Sequence, residues 1–201
     1  MKTLNEKSKV AVEGHVLIKD FDTSEVLLDK YNAINFQNFA LAVAHAMGGV
    51  NNSGGNSYIV SKLAFGYGGT SIDSGTGAIT YNAPQVTGTS GSLYSASKDN
   101  TDPANPVDLQ VNVSNFYVTD TANQPYSDLV CNTVLDYGFP ADAQTLDNAS
   151  DFDTADNFVF DEIGLVDGTG NFLTHLIFHP IQKSKNRKLE IIYTLRIRAG
   201  V

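Results

Sequence analysis

The sequence contains no tryptophan, one cysteine and no long run of apolar residues. Carbohydrate sites usually rely on exposed aromatic side chains, so the missing tryptophan counts against such a site. The lone Cys131 cannot build a disulfide framework, and its place in the apolar run LVCNTVLDY predicts a buried structural thiol. No stretch approaches about 18 apolar residues, and residues 1–15 lack the apolar core of a signal peptide. We therefore expect a soluble chain made in a reducing cytoplasm, with no membrane partner.

Basic residues are scarce through most of the chain. Lys62 and Lys98 are the only two between Tyr31 and Gln182, against fifteen acidic residues in the same stretch. The net charge of −9 argues against a nucleic-acid partner, because neutralising phosphates requires Lys and Arg. The other eleven basic residues lie in the first thirty and last nineteen positions. The acidic middle is either a solvated surface or a face that meets the basic ends of neighbouring copies in an assembly.

The residues that are present are typical of a β-rich globular chain. The sequence is 42% hydrophobic and 17% charged over 201 residues, which is enough for a hydrophobic core. No linker or repeat divides it, so residues 1–201 are predicted to form a single domain. Strand-forming residues are plentiful, and 17 glycines with many Asn, Asp and Ser supply turns. We predict a mainly β, α+β fold: an antiparallel, sandwich-like sheet with one amphipathic helix packed on it and long loops rich in Gly, Asp and Ser.

Three segments carry clear periodicity. Residues 10–29 alternate around the turn DFDTSE and predict an N-terminal hairpin. Residues 36–47 predict the helix, with Asn35 as N-cap and two glycines at its end. His45 lies near its apolar stripe and is expected to be structural. The stripe, predicted to pack on the sheet, comprises Phe36, Phe39, Ala40, Val43, Ala44 and Met47. Residues 158–198 predict a hairpin and a final half-buried strand whose apolar face is Leu189, Ile191, Tyr193, Leu195 and Ile197.

Two polar excursions interrupt these segments, at residues 66–106 and 140–157. Loops this long inside a compact domain are usually functional or are ordered by a partner, so both are expected to make contacts between subunits. Tyrosine suits such contacts because it combines a large apolar area with a polar tip. The candidate contact residues of the first loop region are Tyr67, Tyr81 and Tyr94.

Two charged runs have alternative interpretations. The second loop contains DFDTAD, which is either a solvated acidic loop or a cation site, although it lacks the spacing of an EF-hand loop. The run KSKNRK at residues 183–188 is either a solvated turn or a contact with an acidic neighbour. The weak candidate metal ligands are Asp151, Asp153 and Asp156. The candidate contact residues of the basic run are Lys183, Lys185 and Arg187.

Other motifs lack residues that catalysis or ligand binding would need. FGYGGT at residues 65–70 has no following Lys and no helix to bind phosphate. His175 and His179 would lie about 13 Å apart on one face of a strand, too far for a shared ion. Asp161 and Glu162 are expected to face opposite sides of their strand. No nucleophile elbow or Cys–His pair is evident. We therefore predict no enzymatic activity, no catalytic residue and no cofactor.

The order of segments resembles a known family. NFALAVAHAM is followed by SKLAFGYGGTS, by SLYSAS, by FVFDEIGLVDGTGNFLTHLIF and by an alternating strand. This order is similar to the N-terminal virion-attachment domain of phage tail-collar fibre proteins, which has a comparable helix, a Gly-containing segment and an Asp/Glu-Ile-Gly-Leu hairpin. Residues 14–47 also resemble the start of structural proteins of contractile-tailed phages. Gly164, inside the hairpin, predicts a bulge or a close backbone approach.

The resemblance implies a non-enzymatic structural subunit of a tailed-phage virion, assembled in the host bacterial cytoplasm. Such a subunit would form homo-oligomers and bridge other virion proteins. The chain adds an N-terminal hairpin to the family pattern and has no fibre shaft, which favours a small tail, baseplate or fibre-adaptor component. A neck, collar or capsid-decoration position is the first alternative. A host-recognition module that binds calcium or carbohydrate is the second.

Overall fold

The computed structural model describes residues 9–49, 58–88, 91–99, 107–139, 159–184 and 186–200, and every structural statement below concerns these residues. Strands account for 58% of them and helix for 8%, so the predicted mainly β class is confirmed. The acidic run with Asp151, Asp153 and Asp156 lies outside the described residues, as does Lys185.

One helix and a series of strands follow each other along the described chain. Helix α1 spans Phe36–Gly48 and lies between β2 and β3 in sequence. The strands are β1 (Lys9–Asp20), β2 (Val26–Ile34), β3 (Val60–Tyr67), β4 (Thr70–Ile72), β5 (Ile79–Tyr81), β6 (Ser95–Ala96), β7 (Lys98–Asp99), β8 (Val107–Asp108), β9 (Gln110–Asn112), β10 (Asn115–Asp120), β11 (Tyr126–Leu135), β12 (Val159–Asp167), β13 (Thr174–Gln182) and β14 (Leu189–Gly200).

A large antiparallel sheet organises the molecule. Its strand order is β10-β11-β14-β1-β2-β13-β12-β3-β6, with β9 also paired to β3. The predicted N-terminal hairpin is β1–β2, and the predicted C-terminal hairpin and strand are β12–β13 and β14. Two short ribbons, β4–β5 and β7–β8, lie outside the main sheet.

A bent segment links the two edges of this curled sheet. Strand β9 pairs with β3, and the chain then passes directly into β10, which pairs with β11. At the crossing, Val113 donates its N–H to Ser61 O at 3.0 Å and Ser114 donates its N–H to Asn132 O at 2.9 Å. The sheet therefore curls around one principal hydrophobic core.

The inner face of the sheet carries this core, and the sequence periodicity explains why. In β14 the alternating side chains of Leu189, Ile191, Tyr193 and Leu195 are buried, as predicted, because period-two alternation places them all on one face. The predicted stripe ends early, since Ile197 is exposed. Other core side chains come from β1, β3, β11, β12 and β13, including Val16, Phe65, Cys131, Phe160 and Phe178. Burial raises the pKa of the Cys131 thiol to about 12, so the predicted structural thiol is confirmed.

Helix α1 has the predicted ends but a different inward face. The Asn35 side chain accepts the N–H of Asn38 at 3.2 Å, and Gly49 ends the helix with a φ of 61°. Phe39 packs against the core, but Phe36 and Met47 are 69% and 85% exposed. The predicted apolar stripe is therefore wrong for these two residues and for Ala40 and Ala44, which are also exposed.

Side-chain amides set the rotation of the helix. Asn35 donates to Gly88 O and Asn38 donates to Phe172 O, each at 2.9 Å. These bonds turn the face of the helix that carries Asn38 toward the body, and residues four and eight positions later lie on the same face. The apolar groove beside the sheet is therefore lined, on the helix side, by Phe39, Ala42, Val43 and Ala46. His45 stacks on Tyr58 with ring centroids 3.8 Å apart, in keeping with its predicted structural role.

Candidate functional site: an anchored loop layer

Part of the predicted loop region 66–106 forms a layer on the outer face of β3, β12 and β13. We call residues 68–88 and 91–97 the loop layer. Leu93 packs there with Ala64 and Val166, which alternate with the core residues of their strands. Gly69 lies directly against Ile177 of β13. The layer is tied to the sheet by three buried side chains, Asp161, Glu162 and His175.

Asp161 holds the start of the loop layer. Its Oδ1 accepts the backbone N–H of Gly69 at 3.0 Å. Its Oδ2 accepts the backbone N–H of Thr70 at 2.8 Å and the hydroxyl of Thr70 at 2.5 Å. The carboxylate thus replaces water for two consecutive backbone amides, which fixes the turn that leads into β4.

Glu162 holds the other end of the layer. Its Oε1 accepts the N–H of Ser95 at 2.9 Å, and its Oε2 accepts the N–H of Tyr94 at 2.9 Å. The same Oε2 lies 2.9 Å from Nε2 of His175. Gly66 makes this approach possible, because a Cβ at that position would lie 2.5 Å from Ser95 O.

His175 connects Glu162 to a third part of the layer. Its Nδ1 accepts the backbone N–H of Gln85 at 2.8 Å, so that nitrogen carries no proton. The proton must therefore sit on Nε2, which donates it to Glu162. This tautomer satisfies both partners.

Bulged strand geometry lets both carboxylates reach the loop layer. Simple alternation predicts that Asp161 and Glu162 face opposite sides, and that prediction is wrong. The register of β12 against β13 shifts between Phe160 and Glu162, which interrupts the alternation. Each carboxylate has three donors of its own, and both are buried. Side chains committed in this way stabilise a loop and have little capacity left for proton transfer.

The two histidines of β13 have separate partners. His175 is buried in the network, whereas His179 is exposed and its Nδ1 lies 3.4 Å from the hydroxyl of Tyr81. Lys30 Nζ lies 5.5 Å from the centroid of the same tyrosine ring. Tyr81 is therefore held against β13 and β2 from the loop side.

All three candidate tyrosines lie in or beside the loop layer. Tyr67, at the end of β3, pairs with Ser95. The adjacent Tyr94 donates its hydroxyl to Ala83 O at 2.8 Å, two residues from Tyr81. The rings of Tyr81 and Tyr94 are both exposed over nearly half of their surface. The layer thus fixes the backbone of these residues and leaves aromatic surface open to solvent.

The basic run at residues 183–188 was expected to be either a solvated turn or a contact with an acidic neighbour, and its Lys183 and Arg187 are packed against the body. Lys183 is 0% exposed, and its ammonium donates to the carbonyls of Asp136 and Ser184, each at 3.0 Å. Burial lowers the pKa of this lysine to about 8. Arg187 Nε donates to Asp20 Oδ2 at 2.8 Å. The acidic neighbour of this run lies in the same chain, because the run packs beside the β1–β2 turn and the end of β11.

A second polar region occupies the outer face of the other half of the sheet. It is a concavity with a volume of about 330 Å³, and its walls come from β11, β14, β1 and β2. Arg196 binds Asp128 through two hydrogen bonds of 2.7 Å, and these bonds lower the pKa of that carboxyl. His15 binds Asp29 at 2.5 Å. The charges of this area largely neutralise one another, which disfavours it as a site for a charged ligand.

The residues that the structure describes contain no group of three or more His, Cys, Asp or Glu side chains that could hold a metal ion. No helix within the same ranges is long and apolar enough to cross a membrane.

Comparisons of the chain with protein-family models, curated proteins and solved structures give no match. The resemblance to tail-collar fibre proteins therefore rests on the order of segments and on the motif at residues 162–165.

Proposed function

We propose that this chain is a non-enzymatic structural subunit of a tailed-bacteriophage virion. It forms homo-oligomers and bridges other virion proteins at a tail, baseplate or fibre-adaptor position. The observation that carries the proposal is the use of buried Asp161, Glu162 and His175 to anchor the loop layer. Groups that a hydrolase would use as acid and base are fully occupied here in holding backbone amides.

The anchored layer suits protein binding. A loop that is fixed before binding loses less conformational entropy when a partner docks, so more of the contact energy appears as affinity. The layer presents Ile72, Tyr81 and Tyr94 as exposed apolar or aromatic side chains. Tyrosines of this kind are enriched where proteins meet.

The family resemblance and the structure concern the same residues. The motif at residues 162–165 contains Glu162, which binds two loop amides, and Gly164, which lies against the ring of Phe172. A motif whose role is to hold an attachment loop is consistent with a virion-attachment domain. This coincidence supports the proposal independently of overall composition.

The proposal is tested on purified particles of the tailed phage that encodes the chain. We expect mass spectrometry to find the chain in particles and immunogold labelling to place it on the tail, baseplate or fibre attachment region. Absence of the chain from purified particles would overturn the proposal. Labelling of the neck or the head surface would instead move the subunit to the position of the first alternative.

The role of the loop layer is tested in the same particles. A Tyr81→Ser, Tyr94→Ser double variant is expected to fold, since both rings are nearly half exposed, but to be incorporated at least tenfold less than wild type. Tyr31→Ser is the matched control, because Tyr31 is an exposed tyrosine on β2 outside the loop layer. Equal incorporation of the double variant and the control would show that the layer is not the docking surface.

A further inference from the structure

Strand β10 is an exposed edge of the large sheet. All six of its residues, NFYVTD, are exposed, and Phe116, Tyr117 and Val118 are 46%, 49% and 68% exposed. On one side β10 pairs with β11 over its whole length, and no strand among the described residues pairs with its other side. Half of its backbone N–H and C=O groups therefore point away from the sheet.

In the part of the chain that the structure describes, this edge lacks the features that normally prevent strand pairing. Edge strands are usually protected by Lys, by Pro, by a bulge or by a covering segment. Residues 115–120 contain no Lys, Arg or Pro, and the register with β11 is continuous from Asn115 to Asp120. The strand instead carries two aromatic and two β-branched residues, which favour cross-strand packing.

Within the described ranges, the space beside the edge is open. Phe116 borders a groove of about 440 Å³ whose other walls include Val60 and Gly168. An extended strand satisfies free backbone groups along an edge, as in recognition by β-strand addition. The geometry of the backbone thus selects an extended polypeptide as the occupant.

We propose that the occupant is β10 of a second copy of this chain, paired antiparallel about a two-fold axis at Tyr117. The inference rests on the homo-oligomeric part of the proposed function and names the surface that forms the contact. It concerns the purified chain in solution, where no virion component is present.

Side-chain complementarity fixes the register. A two-fold axis perpendicular to the sheet keeps each side chain on its own face, and directly opposite residues of an antiparallel pair share a face. Because neighbouring residues point to opposite faces, the residue on the axis must lie opposite its own copy. With Tyr117 on the axis, Phe116 lies opposite Val118 of the second copy and Asn115 lies opposite Thr119. Aromatic residues then pair with each other or with a β-branched residue, and no like charges meet.

Neighbouring registers are less favourable. With Val118 on the axis, Phe116 would lie opposite the carboxylate of Asp120. With Phe116 on the axis, Val118 would lie opposite Ser114, whose N–H is already bound to Asn132. The register at Tyr117 therefore pairs residues 115–119 with each other without placing a charge opposite an apolar side chain, and Asp120 lies opposite Ser114.

The expected contact is weak but specific. It would add about four to six backbone hydrogen bonds across the axis. The exposed side chains of the two strands would bury on the order of 600 Å², which is below the standard size of a stable interface. We therefore expect a dissociation constant on the order of 10 to 100 μM for the isolated chains.

Cysteine cross-linking tests the register directly. Cys131 is the only native cysteine and is buried, so an introduced thiol has no exposed competitor. Residues directly opposite each other have Cα atoms about 4.5 to 5.5 Å apart, within disulfide range. Tyr117→Cys should therefore form a dimer on mild oxidation. Thr119→Cys is the matched control, since its two copies would lie about 14 Å apart and should stay monomeric.

A charge exchange gives an independent measurement by analytical ultracentrifugation. Tyr117→Lys and Tyr117→Glu each place like charges on the axis and should weaken self-association at least tenfold. An equimolar mixture of the two variants should restore it. Tyr31→Lys, which changes an exposed tyrosine on β2, should self-associate like wild type.

Several results would overturn the inference. Equal cross-linking of Tyr117→Cys and Thr119→Cys would contradict the register. Wild-type chain that stays monomeric at about 500 μM would contradict the dimer, because that concentration is about five times the largest dissociation constant expected. Slow exchange in the monomer of those amides of residues 115–120 that point away from β11 would mean that another part of the same chain covers the edge. Each of these failures would leave the particle localisation experiment unaffected.

Discussion

Replacing Glu162 with Gln should release the loop layer while leaving the core folded. The carboxylate accepts from Ser95 at one oxygen and from Tyr94 and His175 at the other. A Gln side chain has one acceptor oxygen, so its NH₂ must face at least one buried N–H donor. The least costly orientation keeps the oxygen toward Tyr94 and His175 and leaves Ser95 without an acceptor.

The magnitude follows from these bonds. One buried unsatisfied donor costs about 1 to 3 kcal/mol, and two hydrogen bonds lose their charge assistance. Together they predict a loss of about 2 to 4 kcal/mol for docking of the layer. Amide exchange of Gln85, Tyr94 and Ser95 should therefore accelerate by about 30-fold to 1,000-fold, while β14 keeps its wild-type rates.

Hydrogen exchange and urea unfolding together check the reasoning. Glu190→Gln is the matched control, because that half-buried carboxylate accepts one side-chain bond, from Asn132 at 3.2 Å. The control should change stability by less than about 0.5 kcal/mol. If Glu162→Gln lowers global stability but leaves exchange at residues 85 and 94–95 unchanged, the network does not anchor the loop. If it behaves like the control, the network contributes no stability.

Two further predictions concern packing and pH. Gly164→Ala would place a Cβ 2.5 Å from the Phe172 ring, so urea unfolding should show a loss of about 1 to 3 kcal/mol, whereas Gly75→Ala, where the nearest atom is 3.5 Å away, should be neutral. Burial lowers the pKa of Lys183 to about 8 from its ordinary value of 10.5, so the destabilisation by its charge is fully present below pH 8 and is relieved as the pH rises toward 10.5. The stability of wild type relative to Lys183→Met should rise by about 2 kcal/mol between about pH 7 and about pH 9.5, and a flat difference would contradict the buried charge.

Local sequence signals predicted the elements well. The alternation in β14 and the N-cap at Asn35 depend on near neighbours in the chain, and the structure confirms both. Gly164 was predicted to permit a bulge or a close backbone approach, and a Cβ there would lie 3.0 Å from the backbone carbonyl of Thr174 as well as 2.5 Å from the ring of Phe172. These features follow from periodicity and backbone geometry, which a single sequence contains.

Features that depend on distant partners were missed. The inward face of α1 is set by bonds from Asn35 and Asn38 to residues 53 and 134 positions away. The buried ammonium of Lys183 donates to the backbone carbonyl of Asp136, which lies 47 positions earlier. The composition of a basic run carries no information about such neighbours, so it could not decide between a solvated turn and a contact with an acidic neighbour.

Glu162 illustrates an intermediate case. An acid inside the apolar run FVFDEIGLV must find donors if the strand is buried, so the sequence contained a signal for a polar network. It could not identify the donors, because Tyr94 lies 68 positions away and contributes its backbone N–H, which no side-chain motif reveals. His175 completes the network at a spacing of 13, across the turn between β12 and β13.

The two proposed contact surfaces make a bridging subunit possible because they share no residue. The edge at Tyr117 belongs to β10, and the exposed tyrosines of the loop layer are attached to β3 and β12. A two-fold dimer formed through β10 would carry two loop layers and could engage two partner sites at once. The second contact would then be intramolecular, so partner affinity should exceed that of a monomer without any new contact. Loss of the β10 contact should therefore weaken attachment even though the loop layer is intact.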